Sequence, residues 1–253
     1  MASATAKQTT PKIASRAEWL AARKELLAQE KELTHLRDSL AARRRELPWV
    51  KIEKDYTFDT PKGKQSLAHL FDGRSQLIIY HFMLGPEMEA GCPSCSLLTD
   101  SINPLRVHTE QRDANLILIS RAPLAKIEAF KKRMGWTLPW ASSFGTDFNF
   151  DFGVSFDKEK IALDEKNYNY GTTAFPDGEA PGLSVLVKSA DGAIFHTYST
   201  YGRGLDPLVG VYQLLDLTPK GRDEAGLPWP MAWVRHHDRY QPSAGVQIQP
   251  AKS

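Results

Sequence analysis

Gln76-Leu77-Ile78-Ile79-Tyr80-His81-Phe82-Met83-Leu84 is a nearly continuous apolar run, and eight positions beyond it begins Cys92-Pro93-Ser94-Cys95. A run without polar alternation reads as a strand covered on both faces of a parallel sheet. A Gly/Pro-bearing loop follows, Gly85-Pro86 to Gly91, and then the two cysteines. Residues 96–112 read as a helix interrupted at Pro104, because proline removes an amide donor and clashes with the preceding turn. The cysteine pair therefore stands between a buried strand and a helix, with Cys92 near the first helical position and Cys95 one turn deeper.

That placement has a physical consequence. Free amides and the helix dipole favour negative charge at a helix start. A thiol of pKa ~8.5 is only a few per cent ionised at pH 7, and one lowered to ~6.5 is roughly three-quarters ionised. Cys92 is then the attacking sulfur. Cys95 resolves the mixed disulfide that results. These are the chain's only two cysteines. They cannot staple a domain of this size, and a disulfide between them closes too small a loop to restrict the unfolded chain. Half of a four-cysteine zinc site is excluded for want of a second pair. Redox chemistry or metal binding remains, against two buried structural thiols.

Downstream, residues 114–120 read as a second buried strand around Leu116-Ile117-Leu118-Ile119. Residues 123–134 form an amphipathic helix with Leu124, Ile127, Phe130 and Met134 on one side and Gly135 closing it. The aromatic stretch holding Trp136, Trp140, Phe144, Phe148, Phe150 and Phe152 reads as loop with a short strand. Its rings are core, or else the wall of an apolar pocket above the cysteines. Residues 157–180 look like an insertion, partly a hairpin. Residues 183–188 and 193–198 are strands joined through Asp191-Gly192, a favoured hairpin turn. A helix over 205–215, a Pro/Gly loop over 218–230 and a short Trp- and His-bearing segment over 231–240 complete the pattern. Strand, helix, strand, helix and a terminal hairpin predict an α/β fold, a three-layer sandwich with a mixed central sheet.

Upstream, residues 50–58 are extended, and Asp59 to Lys64 supplies a turn. Pro48 ends a long N-terminal helix over 15–46 that starts at Ser15, with Glu18 completing a capping box. Trp19, Leu26, Leu33, Leu40 and Leu47 recur every seven residues, while Gln29 and Arg43 interrupt the offset stripe. This is a narrow apolar seam on a charged helix of ~45 Å. It lies across its own domain or pairs two subunits as a homodimer. The domain expectation is a disordered lead over 1–14, a helical arm over 15–47, the main domain over 48–240 and a flexible tail over 241–253.

The 253 residues carry a net charge of +2, so the chain is not a nucleic-acid binder by bulk charge. Residues 1–50 hold ten Lys/Arg against six Asp/Glu, or +4, and the remainder −2. Arg43-Arg44-Arg45 suits a solvated helix end, the alternative being a phosphate patch. No apolar run reaches the ~20 residues of a membrane span. The polar N-terminus lacks a secretory signal, which points to the cytoplasm.

Tyr80-His81-Phe82-Met83, Gly85-Pro86, Gly91-Cys92-Pro93-Ser94-Cys95, Phe195-His196-Thr197-Tyr198-Ser199-Thr200-Tyr201, Gly204-Leu205-Asp206, Leu217-Thr218-Pro219-Lys220-Gly221-Arg222 and Trp233-Val234-Arg235-His236-His237-Asp238 together resemble a thioredoxin-like family of bacteria and fungi catalogued as a domain of unknown function. The resemblance spans about residues 15–240. It implies the thioredoxin-like fold and no particular reaction. More distantly the layout is similar to the peroxiredoxin and redoxin superfamily. That superfamily's peroxidatic pattern puts Thr or Ser three residues before the cysteine, where this chain has Glu89 before Cys92 and Cys92 before Cys95. The departure counts against a peroxidase. The resemblance also implies a cis-proline facing the cysteines before the third strand, for which Pro181 is the candidate.

Seven histidines invite a second reading, by analogy with thioredoxin-like copper-delivery proteins, which use two cysteines and a distant histidine. Their cysteines have three intervening residues, against two here. In this alternative Cys92 and Cys95 with His196 or His81 hold copper or zinc. Any histidine near Cys92, His81 among them, could instead be its acid/base partner, and each also has a plainer reading, His81 as a hydrogen-bonded core residue, His196 as a cross-sheet partner and His236-His237 as a surface or packing motif. Glu87 and Glu89 precede the cysteines and could raise the thiol pKa or act as a base. Three functions are therefore open. One is a cofactor-free thiol-disulfide oxidoreductase acting on a small thiol or protein disulfide. The others are a copper or zinc protein and a redox-inert interaction module.

Overall fold

The computed structural model describes residues 12–157 and 167–241. The expectations placed on residues 1–11, 158–166 and 242–253 lie outside the described residues. The chain divides into two units, Met1–Leu47 with Gln241–Ser253, and Pro48–Tyr240.

The first unit is helix α1, Arg16–Arg45. Ser15 caps it as the sequence predicts. The Glu18 amide donates to the Ser15 hydroxyl, and the Glu18 carboxylate accepts from the Ser15 amide at 2.9 Å. Arg43, Arg44 and Arg45 occupy the last turn, where the dipole favours cations. None of its residues is buried.

The second unit is built on a sheet of eight strands among the described residues: β1 (Val50–Lys51), β2 (Thr57–Thr60), β3 (Gly63–Ser66), β4 (Gln76–His81), β5 (Ala114–Ser120), β6 (Trp140–Ser142), β7 (Gly182–Lys188) and β8 (Ile194–Tyr201). The order across it is β1-β8-β7-β4-β5-β6-β2-β3. β4, β5 and β6 are parallel, and β7 runs antiparallel to β4 with β8 antiparallel to β7. The sheet is mixed, as expected. The hairpin between β7 and β8 turns where the sequence places it, with Gly192 at a positive φ of 90° and Asp191 accepting from Ala193 N–H.

Helices α2 (Pro93–Ile102), α4 (Leu124–Met134) and α6 (Gly210–Leu215) supply side chains to one core, with Tyr80 and Phe82. A 3₁₀ turn over Leu67–Phe71 and the short α5 (Phe148–Asp151) supply the other, with Leu77 and Ile79. The apolar run is therefore covered on both faces, its side chains alternating between the two cores. This is the three-layer α/β sandwich of the thioredoxin-like fold.

Three local expectations are corrected. The extended stretch 50–58 pairs as β1, continued by the Ile52 amide donating to Ile194 O at 2.9 Å, and as the start of β2, and is not one continuous strand. The helix expected over 96–112 starts earlier, at Pro93, since proline at the first helical position has no amide to waste. It then breaks at Asn103–Leu105 before α3, Arg106–Glu110. The helix expected over 205–215 is a 3₁₀ segment, Gly202–Leu208, and then α6, separated by Val209 at φ −85°, ψ 88°. Pro207 inside that segment cannot donate to a continuous helical ladder. Within the insertion Tyr168 bridges Thr173, and Ser155, just before it, bridges Glu179.

Candidate active site

β4 aims the chain at the site. Past its end, the Cys92 amide donates to Met83 O at 3.1 Å, which folds the loop back. Cys92 is the N-cap of α2, and its carbonyl accepts from the Ser96 amide and the Ser96 hydroxyl, both at 2.9 Å. Gly91 is glycine for want of room, because a Cβ there would stand 2.6 Å from a Phe82 ring atom and 2.7 Å from Phe130. Phe82 also packs edge-on against Trp140, with centroids 4.6 Å apart, so this wall has little room to give.

The two cysteines are unlinked, with Cys92 half-buried and Cys95 buried. They are opposite in character. The Cys95 thiol donates to Cys92, and despite partial burial this hydrogen bond lowers the Cys92 pKa to about 6, helped by the backbone amides of Cys95 and Ser94 and by the Ser94 hydroxyl. Burial pushes Cys95 well above the ordinary thiol range, and the neighbouring Cys92 adds to it. The hydroxyl of Tyr80, buried under the pair, and the Met83 amide pull Cys95 the other way.

A C-terminal segment locks onto the cysteine loop. His236 Nε2 donates to Gly91 O at 2.7 Å, and its Nδ1 accepts from Arg133 at 3.0 Å. Arg133 also grips Asp238 through two bonds of 2.8 Å. His237 bonds Asp100, which also accepts from Trp136. Glu224 gathers Tyr212, Met231 N–H and Trp233 on one oxygen. The sequence predicts a surface or packing motif at His236-His237. The arrangement supports packing, and it places His236 one residue from Cys92. No local signal in the sequence singles out Arg133.

The remaining candidates lie elsewhere. His81 is buried against Phe148 and Phe152 of the opposite core. Burial drops its pKa to about 3. Its Nε2 bonds Ser184, which bonds Ser199, which bonds His196 Nε2. His81 and His196 thus share a polar chain on the far face of the sheet from the cysteines. The ligand set of Cys92 and Cys95 with either histidine is not assembled, and no group of three or more His, Cys, Asp or Glu among the described residues could hold a metal ion. The parity of a strand explains it: Tyr80 and Phe82 face the cysteines, so His81 cannot.

The Ala180–Pro181 peptide is trans, since no cis peptide occurs among the described residues. Pro181 instead offers its carbonyl to the Tyr168 hydroxyl. Glu87 and Glu89 are exposed, and neither is among the groups that chiefly set the Cys92 pKa. Trp136, Trp140, Phe148 and Phe152 are buried core rings, Phe150 is partly buried beneath the Arg121 guanidinium and Phe144 is half exposed, and the cavities that Trp140 and Phe152 border include neither cysteine, so the stripe serves chiefly as packing. No helix among the described residues is long and apolar enough to cross a membrane.

Fold and site together define a thioredoxin-like α/β protein carrying an asymmetric dithiol at a helix N-terminus. The chain belongs to the family described as bacterial protein of unknown function (DUF899), which matches residues 8–240. No curated protein matches it. Among solved structures it is similar to peroxidoxin BcpB from Mycobacterium tuberculosis, with a TM-score of 0.43 and 12% identity over 67% of this chain and 97% of that one. It is also similar to a cysteine-to-serine mutant of PrxQ from Xylella fastidiosa, at 0.40 and 13% over 63% and 88%. A third is a putative protein disulfide isomerase from Bacteroides thetaiotaomicron, at 0.36 and 18% over 70% and 97%. These likenesses are distant, and the fold rests on the strand order and layers described above.

Proposed function

We propose that this protein is a thiol-disulfide oxidoreductase that reduces the disulfide of a small thiol or of a protein. The observation that carries the reading is the placement of the two sulfurs, Cys92 half-buried at the N-cap of α2 and Cys95 buried one turn deeper, which lowers the first pKa to about 6 and holds the second well above the ordinary range.

The Cys92 thiolate attacks one sulfur of the substrate R–S–S–R′. A Cys92–S–S–R bond forms and R′–S⁻ leaves, taking a proton from solvent. The Cys92 charge that helped keep Cys95 protonated is now gone. Cys95 can then release its proton and attack the Cys92 sulfur. The Cys92–Cys95 disulfide forms, and R–S⁻ departs with a proton. Two electrons pass from protein to substrate, and an external thiol reductant restores the dithiol. The exchange uses the two sulfurs alone.

The test is turnover of a small disulfide such as hydroxyethyl disulfide, with a thiol reductant supplied. Cys92→Ser is expected to abolish turnover. Cys95→Ser is expected to accumulate a mixed disulfide on Cys92, visible by intact mass. If both variants keep the wild-type rate, the reading fails. A stoichiometric metal on protein purified without chelator, lost on either substitution, would favour the copper or zinc alternative instead.

A further inference from the structure

α1 stands as 30 residues of helix with no side chain buried. Trp19 is 48% exposed, Leu26 50%, Leu33 47%, Leu36 56% and Leu40 38%. Helices in water draw most of their stability from burying an apolar face, and this one leaves its face uncovered. Trp19, Leu26, Leu33 and Leu40 repeat every seven residues, with Ala22, Gln29, Leu36 and Arg43 three positions after each. Seven-residue repetition is the period that winds two helices together.

We propose that α1 pairs with α1 of a second copy of this chain, in register, as a parallel two-stranded coiled coil. The charges beside the seam fix the direction. With Trp19, Leu26, Leu33 and Leu40 as the first core column, the flanking columns are Glu18, Glu25, Glu32, Ser39 and the C-cap Glu46 on one side and Arg23, Glu30, Arg37 and Arg44 on the other. In a parallel pair each residue of the first column meets the one five positions later on the partner helix. Glu18 then meets Arg23 and Glu32 meets Arg37. The one like-charged meeting is Glu25 with Glu30, and Glu30 is already bonded within its own chain to Arg23 at 2.7 Å. In an antiparallel pair each column meets itself. Glu18 would face Glu46, Glu32 would face Glu32, Arg23 would face Arg37 and Glu30 would face Glu30. In this full-overlap register Glu25 would face the uncharged Ser39 and every charged meeting is like-charged, so the parallel arrangement wins.

The contact is modest in size. A helix of this length spans about 45 Å, and a strip about 11 Å wide buries about 1,000 Å² over the two chains, which is close to the lower limit for a specific interface. Gln29 and Arg43 weaken the second column further. The pair is therefore a concentration-dependent dimer rather than a permanent one.

Sedimentation equilibrium of the full chain tests this. The expected result is a mass rising from 28.3 kDa toward twice that value with concentration in the micromolar range. Leu26→Lys with Leu33→Lys should abolish the rise. Glu32→Lys alone and Arg37→Glu alone should each weaken association about five- to tenfold, and the double exchange should restore it. Cys92 alkylation, read on each variant, reports that residues 48–240 remain folded. A monomer up to about 100 μM, a dimer indifferent to the leucine substitutions, or a double exchange that fails to restore association would each overturn the proposal.

Discussion

Cys92 should titrate near pH 6, and the consequence can be followed through to rates. At a pKa of about 6 it is about half ionised at pH 6 and about 90% ionised at pH 7. An ordinary thiol at about 8.5 is about 0.3% and about 3% ionised at those values. The lower pKa also makes a weaker nucleophile. With a Brønsted slope of about 0.45, a shift of about 2.5 units costs a factor of about 13 in the reactivity of each thiolate. Relative to an equally accessible ordinary thiol, Cys92 should therefore react with a small disulfide about 12 times faster at pH 6 and about twice as fast at pH 7, but about three times slower at pH 8. The crossover between pH 7 and 8 is the signature. Hindered access would lower the whole curve without moving the half-point of the Cys92 rate. The assay is stopped-flow reaction with an aromatic disulfide from pH 5 to 9, glutathione run alongside, and Cys95→Ala as the perturbation. That variant removes the largest single cause of the lowered pKa, so its half-point must move upward. A wild-type half-point near 8.5, or a Cys95→Ala profile superimposed on the wild type, would refute the reasoning.

Three further outcomes follow from the same contacts. Tyr80→Phe removes the hydroxyl that draws the Cys95 pKa down, and the mixed disulfide on Cys92 should persist about five- to tenfold longer in time-resolved mass spectrometry, with the first step little changed. Gly91→Ala drives a methyl into Phe82 and Phe130 and should cost about 1–3 kcal/mol, read as a lower urea midpoint at unchanged slope. His81 stays neutral in the fold down to pH about 3, whereas in the unfolded chain it takes up a proton below about 6.5. Stability should fall with pH across that window, losing about 2 kcal/mol between pH 7 and 5, and urea titrations of His81→Asn should lack that part of the slope.

The parts of the fold legible in the sequence were those where one local signal suffices. β4 and β5 are continuous apolar runs, α4 ends at a glycine held at a positive φ of 64°, and Asp191-Gly192 turns the β7–β8 hairpin. The breaks at Asn103 and Val209 were harder. Proline marks each neighbourhood, but whether the chain kinks, tightens into a 3₁₀ turn or stops depends on what it packs against. Ser101, for example, accepts the Gly210 amide across 109 residues of sequence, and nothing local announces that bond.

At the site the two cysteines were legible because their chemistry follows from backbone position alone. A cysteine that caps a helix has amides aimed at it, and one a turn deeper is enclosed. For the histidines the sequence leaves two readings open, a ligand of the cysteines and a hydrogen-bonded core residue, and strand parity decides between them. His81 is flanked by Tyr80 and Phe82, both in the core that encloses Cys95, and alternation alone sends it to the other side of the sheet. The same rule explains why its partners are Ser184, Ser199 and His196, a chain of side chains along the far face. The histidine that does reach the cysteine loop, His236, comes from 144 positions beyond Cys92 and is oriented by Arg133 on α4. Its role depends on three segments meeting at Gly91, where the lack of a side chain lets Phe82 and Phe130 close in and leaves the carbonyl for the His236 ring to hold.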